Sequence, residues 1–129
     1  MTYFYESCGL RESLAAFDEI DRTVNYINDN YKEKFTLDRL AEYANLSKGY
    51  FVRQFKKRTG SAPMHYVNML KIDKAKTMIL QSSQPINEIM EELGFYDSAH
   101  FSKLFKSITG YSPKKYKELN VYRKQNTPI

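Results

Sequence analysis

Between Ser47 and Thr59 the chain places Lys48, Arg53, Lys56, Lys57 and Arg58 and no carboxylate. Over residues 114–124 it adds Lys114, Lys115, Lys117, Arg123 and Lys124 against Glu118 alone. Cations serving solubility alone would be interspersed with acids, whereas clusters of this kind suit a polyanion, nucleic acid first among them. The overall charge of +5 understates the asymmetry. Residues 1–46 carry five basic against nine acidic side chains, and residues 47–129 carry fifteen against six.

Other chemistries find little support. The two histidines, His65 and His100, have no Cys or His partner at metal-ligand spacing. The chain contains no P-loop, no Gly-rich phosphate turn and no activated-nucleophile pattern. An enzyme is therefore not expected, nor a metal or cofactor, and His100 reads as a packing or capping residue. Cys8 stands alone, which rules out an intramolecular disulfide and fits a reducing cytoplasm. No apolar run of about 18 residues exists, and "MTYFYESCGL" lacks the layout of a secretion signal. No membrane partner is expected.

The elements that must position the cations are helical. Gly and Pro are scarce, and apolar residues recur at three- and four-residue intervals. Phe17, Ile20, Val24, Ile27 and Tyr31 mark a first helix over about 17–31. Thr36 is placed to cap a short helix bearing Leu37, Leu40, Ala41 and Ala44. "ANLS" forms a tight turn, and Ser47 is placed to cap the next helix, whose buried side is Phe51, Phe55 and Tyr50. Gly60 ends that helix by taking a left-handed backbone. Pro63 opens a long helix to Gln81, with Tyr66, Val67, Leu70, Ala75, Met78 and Ile79 as its apolar positions. Ile86, Ile89, Met90 and Leu93 mark another short helix ended by Gly94. Asp97 caps a helix with Phe101, Leu104, Phe105 and Ile108, ended by Gly110, and Pro113 opens a last helix to about Leu119. The expected fold is all-α, with about seven helices and a frayed tail.

Half of this plan repeats the other half. Leu37, Leu40, Ala44 and Leu46 correspond to Ile86, Ile89, Leu93 and Phe95 at an offset of 49. Ser47, Phe51, Phe55, Gly60, Pro63 and Tyr66 correspond to Asp97, Phe101, Phe105, Gly110, Pro113 and Tyr116 at an offset of 50. A short helix, a tight turn and a capped second helix make the helix-turn-helix plan, whose second helix suits the DNA major groove. At 100° per residue from Lys48, the positions Val52, Lys56, Gly49 and Arg53 fall at roughly 40°, 80°, 100° and 140°, while Phe51 and Phe55 fall at roughly 300° and 340°. The aromatics thus form a core stripe and the cations an outer one. Ser98, Ala99, Ser102, Lys103 and Lys106 occupy the equivalent outer arc of the second unit.

With these residues in view, the segment from about Val24 to Leu119 resembles the DNA-binding domain of the AraC/XylS family of bacterial transcription regulators. The resemblance rests on "LDRLAEYANLSKGYFVRQFKKRTGSAPMHYV" (37–67), "KIDKAKTMIL" (71–80) and "INEIMEELGFYDSAHFSKLFKSITGYSPKKYK" (86–117). It implies two helix-turn-helix subdomains, 36–60 and 86–110, joined by a long linker helix over 63–81, within a domain of 21–119. Residues 1–20 are then an N-terminal extension and 120–129 a C-terminal tail. The implied function is sequence-specific binding of double-stranded DNA in transcription regulation, with two recognition helices in successive major-groove segments. Groove faces about 34 Å apart and a linker helix about 27 Å long agree in scale.

By position, the resemblance assigns base contacts to Gly49, Val52 and Arg53 on the first recognition helix, and to Ser98, Ala99, Ser102 and Lys103 on the second. Lys48, Lys56, Lys57, Lys106, Lys114 and Lys115 are the phosphate candidates. A monomer would suffice for binding, and dimerisation would need a preceding domain; about twenty residues before the first helix are too few for a ligand pocket. RNA polymerase is a further partner if the chain is an activator, though no surface is assigned to it. Lys71 and Lys117 stand where the family commonly has Arg, which keeps charge but loses two-pronged hydrogen bonding. Met90 stands where the family usually has Ala, opposite Ala41. The competing reading is a helix-turn-helix protein-interaction module without DNA affinity, its acidic first segment facing another protein.

Overall fold

The computed structural model describes the backbone of residues 2–126 and the side chains of residues 14–120. Seven helices and no strand are found among the described residues: α1 (Thr2–Asp29), α2 (Leu37–Tyr43), α3 (Lys48–Thr59), α4 (Pro63–Gln81), α5 (Ile86–Glu92), α6 (Ser98–Thr109) and α7 (Pro113–Asn126). The chain divides into two compact units, one of residues 1–31 and 35–67, the other of residues 32–34 and 68–129.

In the first unit Ala16, Ile20 and Ile27 of α1 are buried with Leu40, Ala41, Ala44, Phe51 and Phe55. Thr23 is buried too and is satisfied by donating to the Glu19 carbonyl at 2.7 Å. The inner stripe of α1 is therefore Ala16, Ile20, Thr23, Ile27, and Phe17 and Val24 are only half-buried. Helix α1 begins at Thr2 rather than near Phe17 and ends at Asp29 rather than Tyr31. Counting only large apolar residues shifts the stripe by a position and hides its small and polar members. Cys8 lies outside the described side chains.

In the second unit Ile72, Ala75, Ile79, Ile89, Met90, Leu93, Phe95, Phe101 and Phe105 form the core. Helix α4 buries Ile72 and also Lys71, whereas Tyr66, Leu70 and Met78 are half-buried. Met90, the counterpart of Ala41 in the repeat, is buried within the core of its own unit at 7% exposure. Helix α7 continues to Asn126 instead of stopping near Leu119; of the expected frayed tail, residues 127–129 lie outside the described residues.

The internal repeat is a repeat of local physics. After α2, Asn45 takes a left-handed backbone (φ 58°), and its N–H and that of Leu46 return to the Glu42 and Ala41 carbonyls, each at 3.0 Å. After α5, Gly94 (φ 83°) and Phe95 do the same to Glu91 and Met90, again at 3.0 Å. Both are Schellman closures, which turn the chain sharply while satisfying helix-end carbonyls. The "Thr-Gly" pairs repeat as closely. Thr59 and Thr109 donate their hydroxyls to the Phe55 and Phe105 carbonyls at 2.8 Å and accept from the N–H of Ser61 and Tyr111. Gly60 and Gly110 both sit at φ 88°, ψ −6°. Edge-to-face rings then lock each third helix: Phe55 on Tyr66 at 5.6 Å and Phe105 on Tyr116 at 5.3 Å.

Candidate nucleic-acid interface

Each unit fixes its second helix from inside and leaves the outer face open. On α3, Phe51 and Phe55 are fully buried, 5.5 Å apart, while Lys48, Gly49, Arg53, Lys56 and Lys57 are exposed and Val52 is half-buried. On α6, Phe101 and Phe105 form the same inner stripe at 5.9 Å, and Ser98, Ala99, Lys103 and Lys106 are exposed, with Ser102 half-buried. Lys114 and Lys115 are exposed in the first turn of α7, where the Lys115 N–H donates to Ser112 Oγ at 3.1 Å. Every sequence-predicted site residue thus lies on the solvent side of its own unit.

The starts of the two helices differ. The Asp97 carboxylate accepts from the N–H of Ala99 at 2.9 Å and of His100 at 3.3 Å. That charge-assisted cap fixes the first turn of α6 and favours the positive end of its dipole. Ser47 holds the N-cap position of α3 but makes no side-chain cap hydrogen bond. Thr36 does cap α2, accepting from the Arg39 N–H at 3.2 Å. The His100 ring is exposed and 6.2 Å from Phe95.

Electrostatics divide the cations of the first unit. Lys48 is paired with Asp38 at 2.8 Å, both well exposed. The Arg53 guanidinium lies 5.9 Å from the Tyr50 ring of its own helix, and Gly49 leaves room beside it, since a Cβ there would meet Arg53 Nη1 at an ordinary 3.5 Å. Arg58 is on the other flank, bound by two hydrogen bonds of 3.0 and 2.9 Å to Asp21 of α1. The Arg58 guanidinium holds the Asp21 carboxyl below its ordinary range. Arg58 belongs to the sequence cluster but is spent on tertiary pairing.

The second unit contains a feature that sequence patterns missed. Lys71, 4% exposed, donates Nζ to the carbonyls of Glu33 and Leu93 and lies 5.8 Å from the Phe95 ring. It joins the 32–34 segment to the turn that launches α6. The Lys32–Glu92 ion pair at 2.8 Å and the Gln84–Glu92 hydrogen bond at 3.1 Å support the same corner. Burial pushes the Lys71 ammonium down to about 8, with the Glu33 carboxylate acting in the opposite sense. Beside this corner stand Lys34 and Tyr96, whose loop positions carry no periodicity that could have marked them.

Among the described residues, no His, Cys, Asp and Glu cluster could hold a metal ion, and no helix is long and apolar enough to cross a membrane. Within its own unit, each of α3 and α6 presents exposed cationic and small side chains on its outer face.

The comparisons with known proteins agree with this geometry. The helix-turn-helix domain family matches residues 40–119. The MmsAB operon regulatory protein of Pseudomonas aeruginosa is 33% identical over 100 residues, which are 78% of this chain and 33% of that protein. The C-terminal domain of the two-component response regulator yesN from Fusobacterium nucleatum is similar at TM-score 0.72 and 34% identity, over 75% of this chain and 95% of that one. The DNA-binding domain of AdpA, solved in complex with a target DNA, shares the fold at TM-score 0.76 and 24% identity, over 85% of this chain and 97% of that one. The chain spans between 33% and 39% of the length of three curated relatives it matches. The duplicated, capped helix-turn-helix plan and the matched span together place the chain in the AraC/XylS family of transcription regulators, as one that carries the family's DNA-binding domain.

Proposed function

We propose that the chain binds double-stranded DNA sequence-specifically, as the DNA-binding part of a bacterial transcription regulator. The observation that carries this reading is the recurrence, on α3 and again on α6, of one exposed arc of small and cationic residues backed by a buried Phe pair. A merely solvated face has no reason to recur on the two helices that follow a Schellman turn.

In this reading α3 and α6 enter successive major-groove segments, so that one chain reads two turns and a monomer suffices. Arg53 donates two hydrogen bonds to a guanine, and Val52 packs on a thymine methyl. Gly49 and Ala99 permit close approach, while Ser98, Ser102 and Lys103 make the remaining base contacts. Lys48, Lys56, Lys57, Lys106, Lys114 and Lys115 meet phosphates and supply the sequence-independent affinity. Lys48 exchanges its Asp38 partner for a phosphate on binding. An activator would in addition touch RNA polymerase.

Selection of duplexes from a random library, followed by affinity measurements across a salt series, tests the reading. With six phosphates neutralised, log K falls against log salt with a slope of about −5. No enrichment and a flat salt response would favour the protein-interaction module instead.

A further inference from the structure

We propose that Lys34 and Tyr96 form an additional DNA-backbone contact, a phosphate clamp at the entrance to α6. The proposal rests on the DNA-binding reading and extends it to two loop residues outside both recognition helices.

Tyr96 stands two residues before Ser98, where α6 begins, and its side chain is 73% exposed, the most of any large apolar residue described. Its neighbours are immobilised. Phe95 is 6% exposed and packs at a tilt against Phe101, ring centroids 5.0 Å apart, and Asp97 is committed to the N–H groups of Ala99 and His100. The backbone at Tyr96 is therefore fixed on both sides while its ring stands in solvent. Packing does not explain a large aromatic left in this position, and interfaces are where such residues are favoured.

Lys34 supplies the charge. Its Nζ lies 4.6 Å from the centre of the Tyr96 ring. The segment that carries it is anchored in the same unit, through the bond from Lys71 to the Glu33 carbonyl and the Lys32–Glu92 pair. A flexible lysine is thereby biased toward one location before any ligand arrives, which lowers the ordering cost of binding. The phenol brings a hydroxyl to the same pair of side chains, and both Lys and Tyr are recurrent phosphate donors. The first residues of α6 are small, Ser98 and Ala99, so a sugar-phosphate strand bordering the groove can come close to the turn that holds the pair. Exposed aromatic and cation together match a strand whose sugars are apolar and whose phosphates are anionic.

The test uses the 129-residue chain and a labelled pool of random-sequence duplexes about three helical turns long, because phosphate contacts do not depend on sequence. One lost phosphate contact removes about 0.9 from the salt slope, equivalent to a loss of about eightfold in affinity at 0.1 M salt and about fourfold at 0.2 M. Lys34→Ala is expected to show both changes at an unaltered melting temperature. Tyr96→Ala should weaken binding as well, and the double variant should be little worse than Lys34→Ala, since the ring acts partly through the ammonium. Tyr96→Phe, which keeps the ring and loses the hydroxyl, should fall between wild type and Tyr96→Ala. The clamp is refuted if Lys34→Ala and Tyr96→Ala leave affinity and slope unchanged while Lys56→Ala weakens binding; the DNA-binding reading then survives. Weaker binding of Lys34→Ala at an unchanged slope also refutes it. A wild-type chain that binds no duplex overturns both proposals together.

Discussion

Replacing Gly94 by alanine separates two costs that a glycine can hide. Gly94 has φ +83°, and a Cβ there would lie 2.8 Å from the Lys32 carbonyl oxygen, 3.0 Å from Lys71 Nζ and 3.2 Å from the Glu33 carbonyl oxygen. Gly60 and Gly110 share the left-handed backbone at φ +88° but have nothing within 4 Å of the same position. Left-handed strain alone costs about 1–2 kcal/mol. At Gly94 a backbone carbonyl must also move, at about 1–3 kcal/mol for overpacking. The Lys71 bonds to Glu33 and Leu93 are disturbed with it, and a buried carbonyl left without its donor costs about 1–3 kcal/mol. Gly94→Ala should therefore destabilise by roughly 3–8 kcal/mol, against about 1–2 kcal/mol for Gly60→Ala or Gly110→Ala. Urea unfolding followed by far-UV circular dichroism measures the difference directly. A Gly94→Ala variant no less stable than Gly110→Ala would mean that the Lys32–Lys34 segment does not press on this turn, and the account of how α6 is launched would be wrong.

Other perturbations test neighbouring steps. Lys71 has its folded-state value lowered to about 8 from 10.5, so between these values the unfolded chain binds more protons and stability rises with pH. The rise should reach about 2 kcal/mol between pH 7.5 and 9.5. The neutral amine keeps two N–H groups for its two carbonyls, and Lys71→Met should flatten that part of the urea-midpoint profile. Asp97→Ala removes a working cap and should cost about 1 kcal/mol, whereas Ser47→Ala, which breaks no cap bond, should change the urea midpoint by less than about 0.5 kcal/mol. Asp38→Asn releases Lys48 from its exposed pair and should strengthen DNA binding in anisotropy titrations, by up to about fivefold given the ~0.2–1 kcal/mol such pairs are worth. Weaker binding by Asp38→Asn would place Lys48 away from phosphate.

Features decided within a few residues could be read from the sequence. Thr36, Asp97, Gly60, Gly94 and Gly110 all serve as expected because caps and left-handed closures depend on local chemistry. Asn45 shows its role through the duplication: it occupies the place of Gly94, and an Asn tolerates the same backbone. Ser47 marks the boundary of that logic, since residue type gave the cap position and not the side-chain bond. Lys71 was legible only as a lysine where the family has arginine. Its partners are backbone carbonyls at residues 33 and 93, far away in the sequence and silent in any side-chain pattern. Arg58 shows the same limit from the other direction, because its commitment to Asp21 follows from how α1 lies on α3. Lys34 and Tyr96 meet across two loops, where periodicity has nothing to say.

Hydroxyl-radical footprinting of the chain on a duplex selected by it tests the central claim most directly. Two protected tracts are expected on one face of the DNA, about 10–10.5 base pairs apart, with Arg53→Ala weakening one tract more than the other. A single tract confined to one groove segment would contradict the claim that both helices read DNA.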